Sequence, residues 1–438
     1  MAAPLVYVTG FVGTLLRVLL FATDFPAWIR SRRELVTPIT SWDRVQEGIA
    51  LQKQRISPYA GDLFHETPLL LRLVRSADCI PGGSMTLFVF VDIVAGIILY
   101  KITQEFTRYE LQRQAKEMAN YSPQSKELLH TRKTLSSISI AVTLIHFLGP
   151  YSLCACLAQT TTVFSNLAVL FCWLFTLQGN VELCCFALAV ATYQSLYPVI
   201  FLVPIAMHFF QQIEPKSPHF VSKAAFRSYT RVLLVFTVWL ASLLGASFVL
   251  EGSWEFLRAT YGFVLTVPDL SPNVGIFWYF FTEMFEHFRT FFICVFQINV
   301  FIFAVPLAIK LQEHPLLQLY IIMFEVCIFK SYPSYADTAL ALILLPLWQH
   351  IFRYMRNTLV VSTLYVVVGI LAPILWHLWI YAASANANFY FAITLVFCSA
   401  QVFLIADVLY AFLRYEFDLL HGTDHRLPSK EKTRVVLE

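Results

Sequence analysis

The chain has 438 residues, 58% of them hydrophobic and 16% aromatic, with only 13% charged and a formal net charge of +3. Soluble domains carry about 25% charged residues, so an ordinary soluble fold is excluded and an all-α integral membrane bundle is indicated. The small, dispersed charge excludes nucleic acid as a partner.

Residues 4–22 are apolar and lack a basic leading region or a clear cleavage site, so they read as a first membrane helix rather than a removed signal. Further spans are expected at 84–101, 135–149, 161–178, 230–250, 290–311, 337–352, 358–380 and 390–413, with a weaker one at 315–330 because of Glu325. Residues 181–210 are too long for one comfortable span, and Pro198 predicts a break into two short helices. The total is a polytopic bundle of about twelve transmembrane helices in a single domain, 1–438. Basic residues cluster at 101–133, 214–231 and 353–356 and in the tail 414–438. Twelve spans put all four segments, and both termini, in the cytosol. The sequon at Asn120 is then cytosolic and unmodified. The loop 24–83 is kept luminal and folded despite Arg30, Arg32, Arg33, Arg44, Lys53 and Arg55, because the charge rule weakens in loops of about 60 residues.

Nine cysteines show no metal spacing, and all but Cys79 lie in or next to apolar runs and read as small core residues; no metal or cofactor is expected. Asp92, His146, Glu325, His377 and Asp407 lie in apolar segments. A transporter would line such groups along a path, but here they are scattered, which favours buried hydrogen bonding or an interfacial place. Lys330 lies near Glu325 and is a candidate neighbour.

Three stretches are chemically distinctive. The first loop reads Ser57-Pro58-Tyr59 and then Phe64-His65-Glu66-Thr67-Pro68-Leu69. The luminal or interfacial segment 251–289 ends in a run of rings, Phe277 to Phe281, followed by Glu283, Glu286 and His287. On a helix these three polar groups share a face and form a candidate head-group rim. Residues 376–389 form a tight luminal turn in which Trp376, Trp379 and Tyr381 make an interfacial belt. Its Ser384, Asn386 and Asn388 suit sugar hydroxyls and phosphate oxygens, or simply turn geometry. If the turn is extended, the two asparagines project to one side.

The first loop resembles that of polytopic glycosyltransferases that use dolichol-phosphate sugars, in which a carboxylate near the loop start acts as base or metal partner. GPI mannosyltransferases carry an acidic pair there; here Asp43 stands alone. Taken with Ala191 through Pro198, Pro268 through Phe288, Phe296 through Phe301 and Trp376 through Asn388, the chain resembles the PIG-U family of GPI transamidase subunits over nearly its whole length.

That resemblance implies an endoplasmic-reticulum membrane protein with a fold like the GT-C mannosyltransferases but without their chemistry. It implies a non-catalytic subunit that binds and positions the GPI lipid for attachment to precursor C-termini. The implied partners are the caspase-like cysteine protease subunit PIG-K, PIG-T, PIG-S and an aminopeptidase-like subunit, together with GPI and membrane phospholipids. The implied GPI contacts are Asn386 and Asn388. Lys216 is a candidate phospholipid contact on the cytosolic side. The alternatives are a dolichol-phosphate-mannose-dependent mannosyltransferase with Asp43 as base, and a secondary transporter, which predicts paired broken helices where only Pro198 marks a break.

Overall fold

The computed structural model describes residues 2–214 and 222–423, without the side chains of residues 2–3 and 132–134. Lys216 and the tail beyond residue 423 lie outside the described residues.

Every regular element among the described residues is helical. Helix α1 (Ala2–Phe21) leads into the first loop, which folds as α2 (Phe25–Arg30), α3 (Trp42–Lys53) and α4 (Pro68–Asp78). There follow α5 (Gly83–Glu117), α6 (Arg132–Leu148), α7 (Pro150–Leu157), α8 (Thr162–Gln178), α9 (Val181–Ser195), α10 (Leu202–Ile213) and α11 (Lys223–Glu251). The short turns α12 (Glu255–Leu257), α13 (Phe263–Thr266) and α14 (Phe277–Glu283) precede α15 (Arg289–Ile302) and α16 (Ala304–Lys310). The chain finishes with α17 (Pro315–Phe329), α18 (Tyr335–Leu344), α19 (Thr358–Ile380) and α20 (Ala387–His421).

Among the described residues, six helical stretches are long and apolar enough to cross a membrane, and the bent pair α6–α7 makes a seventh if it is one span. Four more apolar helices are shorter. The expected break at Pro198 is present: α9 ends at Ser195, Leu196 has a φ of 60°, and a 3-10 turn precedes α10. The expected span 337–352 is not one helix, because α18 stops at Leu344 and the chain continues as a 3-10 segment through Pro346, which has no N–H to offer. The expected basic loop 101–133 is partly helix, since α5 runs on to Glu117.

Local chemistry explains the boundaries. Gly179, at φ +74°, ends α8, and the Asn180 side chain caps α9 by accepting from the Leu183 N–H at 3.1 Å. Helix α17 is buried from Pro315 to Ile328, as expected of a helix that is apolar on every side, and it sits at the centre of the main core with Trp173 and Trp348.

The outlying α1 is tied in by one side chain. Arg17 is fully buried, and its Nε lies 2.7 Å from Asp92 Oδ2 on α5. Its Nη1 donates to the carbonyl of Phe147 at 2.7 Å and its Nη2 to that of His146 at 3.2 Å. These carbonyls sit at the C-terminus of α6, which lacks internal donors, where the axis bends by 43° at Gly149-Pro150. Gly13 and Gly96 allow the close approach: a Cβ on Gly13 would lie 2.5 Å from the Phe147 Cβ, and one on Gly96 would lie 2.4 Å from the Phe147 ring.

The intramembrane polar groups are mostly accounted for in this way. His146 Nε2 meets the Asp92 carbonyl at 3.0 Å, and Asp407 accepts from the backbone N–H groups of Arg356 and Asn357 at 2.8 and 2.9 Å, at the start of α19. Lys330 pairs not with Glu325 but with Asp337, at 2.7 Å, because Glu325 sits on α17 while Lys330 and Asp337 flank the α17–α18 turn.

Candidate functional site

Three parts of the chain converge at the end of the bundle that carries the first loop. The first is the turn between α19 and α20. The N–H groups of Ser384 and Ala385 both donate to the Leu378 carbonyl, at 2.9 and 3.2 Å, and close the turn tightly. Asn386 is extended, with φ −133° and ψ 178°, and caps α20: its Oδ1 accepts from the Asn388 N–H at 3.1 Å. Asn388 Oδ1 accepts from the Tyr279 hydroxyl. Both amide carbonyls are thus occupied, whereas both amide NH₂ groups, on exposed side chains, have no protein acceptor among the described residues. The helix begins at Ala387, so capping geometry rather than strand alternation places the pair. Two outward NH₂ groups at the N-terminus of a 35-residue helix form a donor-rich edge that suits anionic or hydroxyl oxygens.

The second part is an aromatic floor under that turn. The Tyr279 ring stacks on Phe391 at 4.4 Å, Trp278 lies 6.2 Å from Trp379, and Trp376 lies 5.2 Å from Tyr390. The ring run does form a helix, α14, but it ends at Glu283. Met284 is extended, Glu286–Phe288 is a single 3-10 turn, and α15 begins at Arg289. Glu283, Glu286 and His287 therefore do not share a continuous helix face, contrary to the sequence reading. All three are exposed, and the Glu286 carboxylate pairs with Arg289, at 3.8 Å.

The third part is the docked first loop. The Tyr59 hydroxyl donates to the Glu66 carbonyl at 2.9 Å, and the Leu69 N–H donates to the Tyr193 hydroxyl at 3.2 Å. His65 stacks on Phe263 with ring centres 3.5 Å apart, and its Nδ1–H donates to the Ala259 carbonyl at 2.8 Å; burial pushes its pKa down. The buried Glu66 carboxylate accepts from the Thr161 hydroxyl at the edge of a cavity of about 50 Å³, which Gln194, Lys330 and Asp337 also line. The distinctive loop motif thus locks the loop onto the bundle. Asp43, the candidate base, is exposed on the first turn of α3, and its carboxylate makes no hydrogen bond or ion pair among the described residues.

Burial pushes the Glu66 carboxyl up to about 7. The folded loop therefore holds a proton that an unfolded chain releases at the ordinary carboxyl value. The resulting stability is fully present below about pH 4 and lost as pH rises through about 7, a change of about 3 kcal/mol at most. Protease nicking of the loop 24–83 is expected to accelerate between about pH 5 and about pH 8 in the native chain and to stay flat in Glu66→Gln. Equal pH dependence in both would show that another group titrates.

The profile described as "GPI transamidase subunit PIG-U" matches residues 11–397. The chain belongs to the PIG-U family. It is 42% identical to the human "GPI-anchor transamidase component PIGU" over 440 residues, covering 100% of this chain and 99% of that protein. The mouse protein of the same name gives the same identity and coverage. The yeast Saccharomyces cerevisiae "GPI transamidase component GAB1" is 27% identical over 391 residues, 88% of each chain.

Within this PIG-U chain, sequence reasoning found the asparagines and the ring run but not their junction, the Tyr279–Asn388 bond. It also missed Glu34, whose carboxylate accepts from the Tyr390 hydroxyl at 3.2 Å and whose carbonyl accepts from the Tyr335 N–H at 2.8 Å. The only advance signal was a lone acid following three arginines in a loop.

Proposed function

We propose that the chain is the non-catalytic, lipid-binding subunit of a GPI transamidase in the endoplasmic-reticulum membrane. It holds the GPI lipid so that its ethanolamine amine meets a thioester on the caspase-like subunit, PIG-K, with PIG-T, PIG-S and an aminopeptidase-like subunit as further partners. Fixing amine and thioester together replaces a bimolecular encounter with a nearly unimolecular one.

The observation that carries this reading is the pair of unpartnered amide NH₂ groups on Asn386 and Asn388, set at a helix N-terminus over an aromatic floor. The exposed Glu283, Glu286 and His287 follow directly on that floor and are proposed as its outer rim. A neutral hydrogen bond contributes about 1 kcal/mol net, so losing both amides weakens GPI binding about tenfold or more. The double variant Asn386→Ala, Asn388→Ala is expected to lower transamidation when GPI is scarce, to recover when GPI is abundant, and to co-purify its partners normally. Normal activity at limiting GPI would overturn the assignment. Asp43→Asn serves as control: loss of transfer there, with assembly intact, would favour the glycosyltransferase alternative.

We further propose a GT-C-like bundle of about twelve spans with both termini cytosolic. Support comes from the way contacts alternate along the chain. Residues 34–40, 161, 269, 332–335 and 390 meet at one end, while Ser122 meets Leu419, Gln211 meets Gln312 and Arg113 meets Glu416 at the other. Asn120, beside that second group, is expected to carry no glycan, whereas an engineered sequon in the 382–388 turn is expected to be glycosylated. A gel shift on endoglycosidase treatment of the native chain would invert the arrangement.

A further inference from the structure

The donor edge at Asn386 and Asn388 is neutral, but the segment packed beside it is not. Arg30, Arg32 and Arg33 stand in a row at the end of α2 and just beyond it. Arg30 donates to the Gln159 side chain. The Arg32 and Arg33 side chains are half-buried and make no hydrogen bond or ion pair among the described residues. Their guanidinium groups lie over rings instead: Arg32 is 4.1 Å from the centre of Trp28 and Arg33 is 5.9 Å from the centre of Trp376. Arg32 Nε is buried without an acceptor.

The same segment is fastened to the start of α20. Glu34 is only 3% exposed and takes the hydroxyl hydrogen bond of Tyr390, two residues beyond Asn388, while the Trp376 ring packs between Arg33 and Tyr390. Glu34 makes no ion pair with either arginine: its carboxylate turns to the Tyr390 hydroxyl, and burial pushes its pKa up against the opposing pull of the two guanidinium charges. The other nearby carboxylate, Asp43, acts on Arg30. Two guanidinium groups that make no ion pair among the described residues thus stand on the segment bound to Tyr390, and one of them, Arg33, lies over the Trp376 ring that packs on Tyr390, two residues beyond Asn388. Half-buried arginines persist in such a state when an anion arrives to complete them, and their planar forks match phosphate oxygens in a bidentate manner.

We infer that Arg32 and Arg33 bind the phosphodiester of the lipid head group, with Asn386 and Asn388 supplying the neutral donors of the same site. This rests on the lipid-binding reading above and adds the charged half of it.

The test measures binding of radiolabelled GPI to the assembled complex in detergent, with glycerophosphoinositol, inorganic phosphate and myo-inositol as competitors. In the native complex glycerophosphoinositol is expected to displace GPI, while myo-inositol, which lacks the phosphate, is not. The variant Arg32→Gln, Arg33→Gln is expected to lose about tenfold or more in affinity, the scale of a lost charge-assisted hydrogen bond, and to lose displacement by glycerophosphoinositol. Displacement by inorganic phosphate at equal potency would assign the site to free phosphate and overturn a lipid-specific role. Native affinity in the double Gln variant, with reduced affinity in the Asn386→Ala, Asn388→Ala variant, would overturn the arginine site and leave the lipid-binding reading standing; native affinity in both would remove both. If the Gln variant fails to assemble, the salt dependence of native binding decides. A fall in affinity between about 50 mM and about 500 mM salt supports the charged contact, and a flat profile overturns it.

Discussion

Arg17→Leu is expected to destabilise the chain by about 3–5 kcal/mol, the range for breaking a buried ion pair from one side. The variant leaves the buried Asp92 carboxylate without its guanidinium partner, with only the His146 ring 3.6 Å away, and it removes the donors that serve the His146 and Phe147 carbonyls at the α6–α7 bend. Leucine fills the volume but offers neither charge nor N–H groups. Thermal unfolding of the detergent-solubilised complex gives the readout. The double variant Arg17→Leu, Asp92→Leu is expected to lose less than the single one, because no uncompensated charge remains. Arg17→Lys is expected to fall between, keeping the ion pair but not the two-carbonyl fork. A single variant no less stable than the double would mean that the pair is not the anchor of α1.

Gln297→Leu is expected to cost about 2–3 kcal/mol, since it opens a buried polar knot rather than one bond. Gln297 Nε2 donates to the Val264 carbonyl at 2.9 Å and to Ser331 Oγ at 3.0 Å, and its Oε1 accepts from the Tyr197 hydroxyl at 3.0 Å. The Ser331 N–H donates to the same Tyr197 oxygen at 3.1 Å. Four separate parts of the chain meet there, and Tyr197 follows Leu196, whose positive φ is held only by such surroundings. Single polar contacts between membrane helices average about 0.6 kcal/mol, so a loss no larger than that would show that the knot relaxes by finding other partners. Tyr197→Phe is expected to lose less than Gln297→Leu, because the Gln297 amide keeps its bonds to Val264 and Ser331.

Composition and hydropathy sufficed for an all-helical membrane chain and for the break at Pro198, because burial of backbone polar groups leaves few other solutions in lipid. Hydropathy did not foresee that 337–352 splits at Pro346, since apolar content is blind to a missing donor. It also did not foresee that Glu283, Glu286 and His287 fall on either side of a helix break; nothing in their spacing reveals the extended Met284. The site was legible as parts. Asn386 and Asn388 stood out as amides in a turn expected to be luminal, but their amide carbonyls depend on an N-cap and on Tyr279, more than a hundred residues away. Lys330 lies near Glu325 in sequence but pairs with Asp337, because proximity in sequence says little where a helix ends. Arg17 was not singled out at all: one cation near the end of an otherwise apolar run gives no hint of an acceptor set drawn from two other helices.

Helices α8, α9 and α17 have 17, 15 and 15 residues. At a rise of about 1.5 Å per residue they are roughly 22–25 Å long, against a hydrocarbon thickness of about 30 Å. The long helices α1, α11 and α19 stand outside them with large apolar faces exposed. A bilayer that fits the outer helices is too thick for the inner ones. The shortfall is taken up by protein: the docked first loop and the Lys330–Asp337 turn lie over the short ends. Glu66, bonded to Thr161 at the N-terminus of α8, consequently belongs to the protein that makes up the missing helix length.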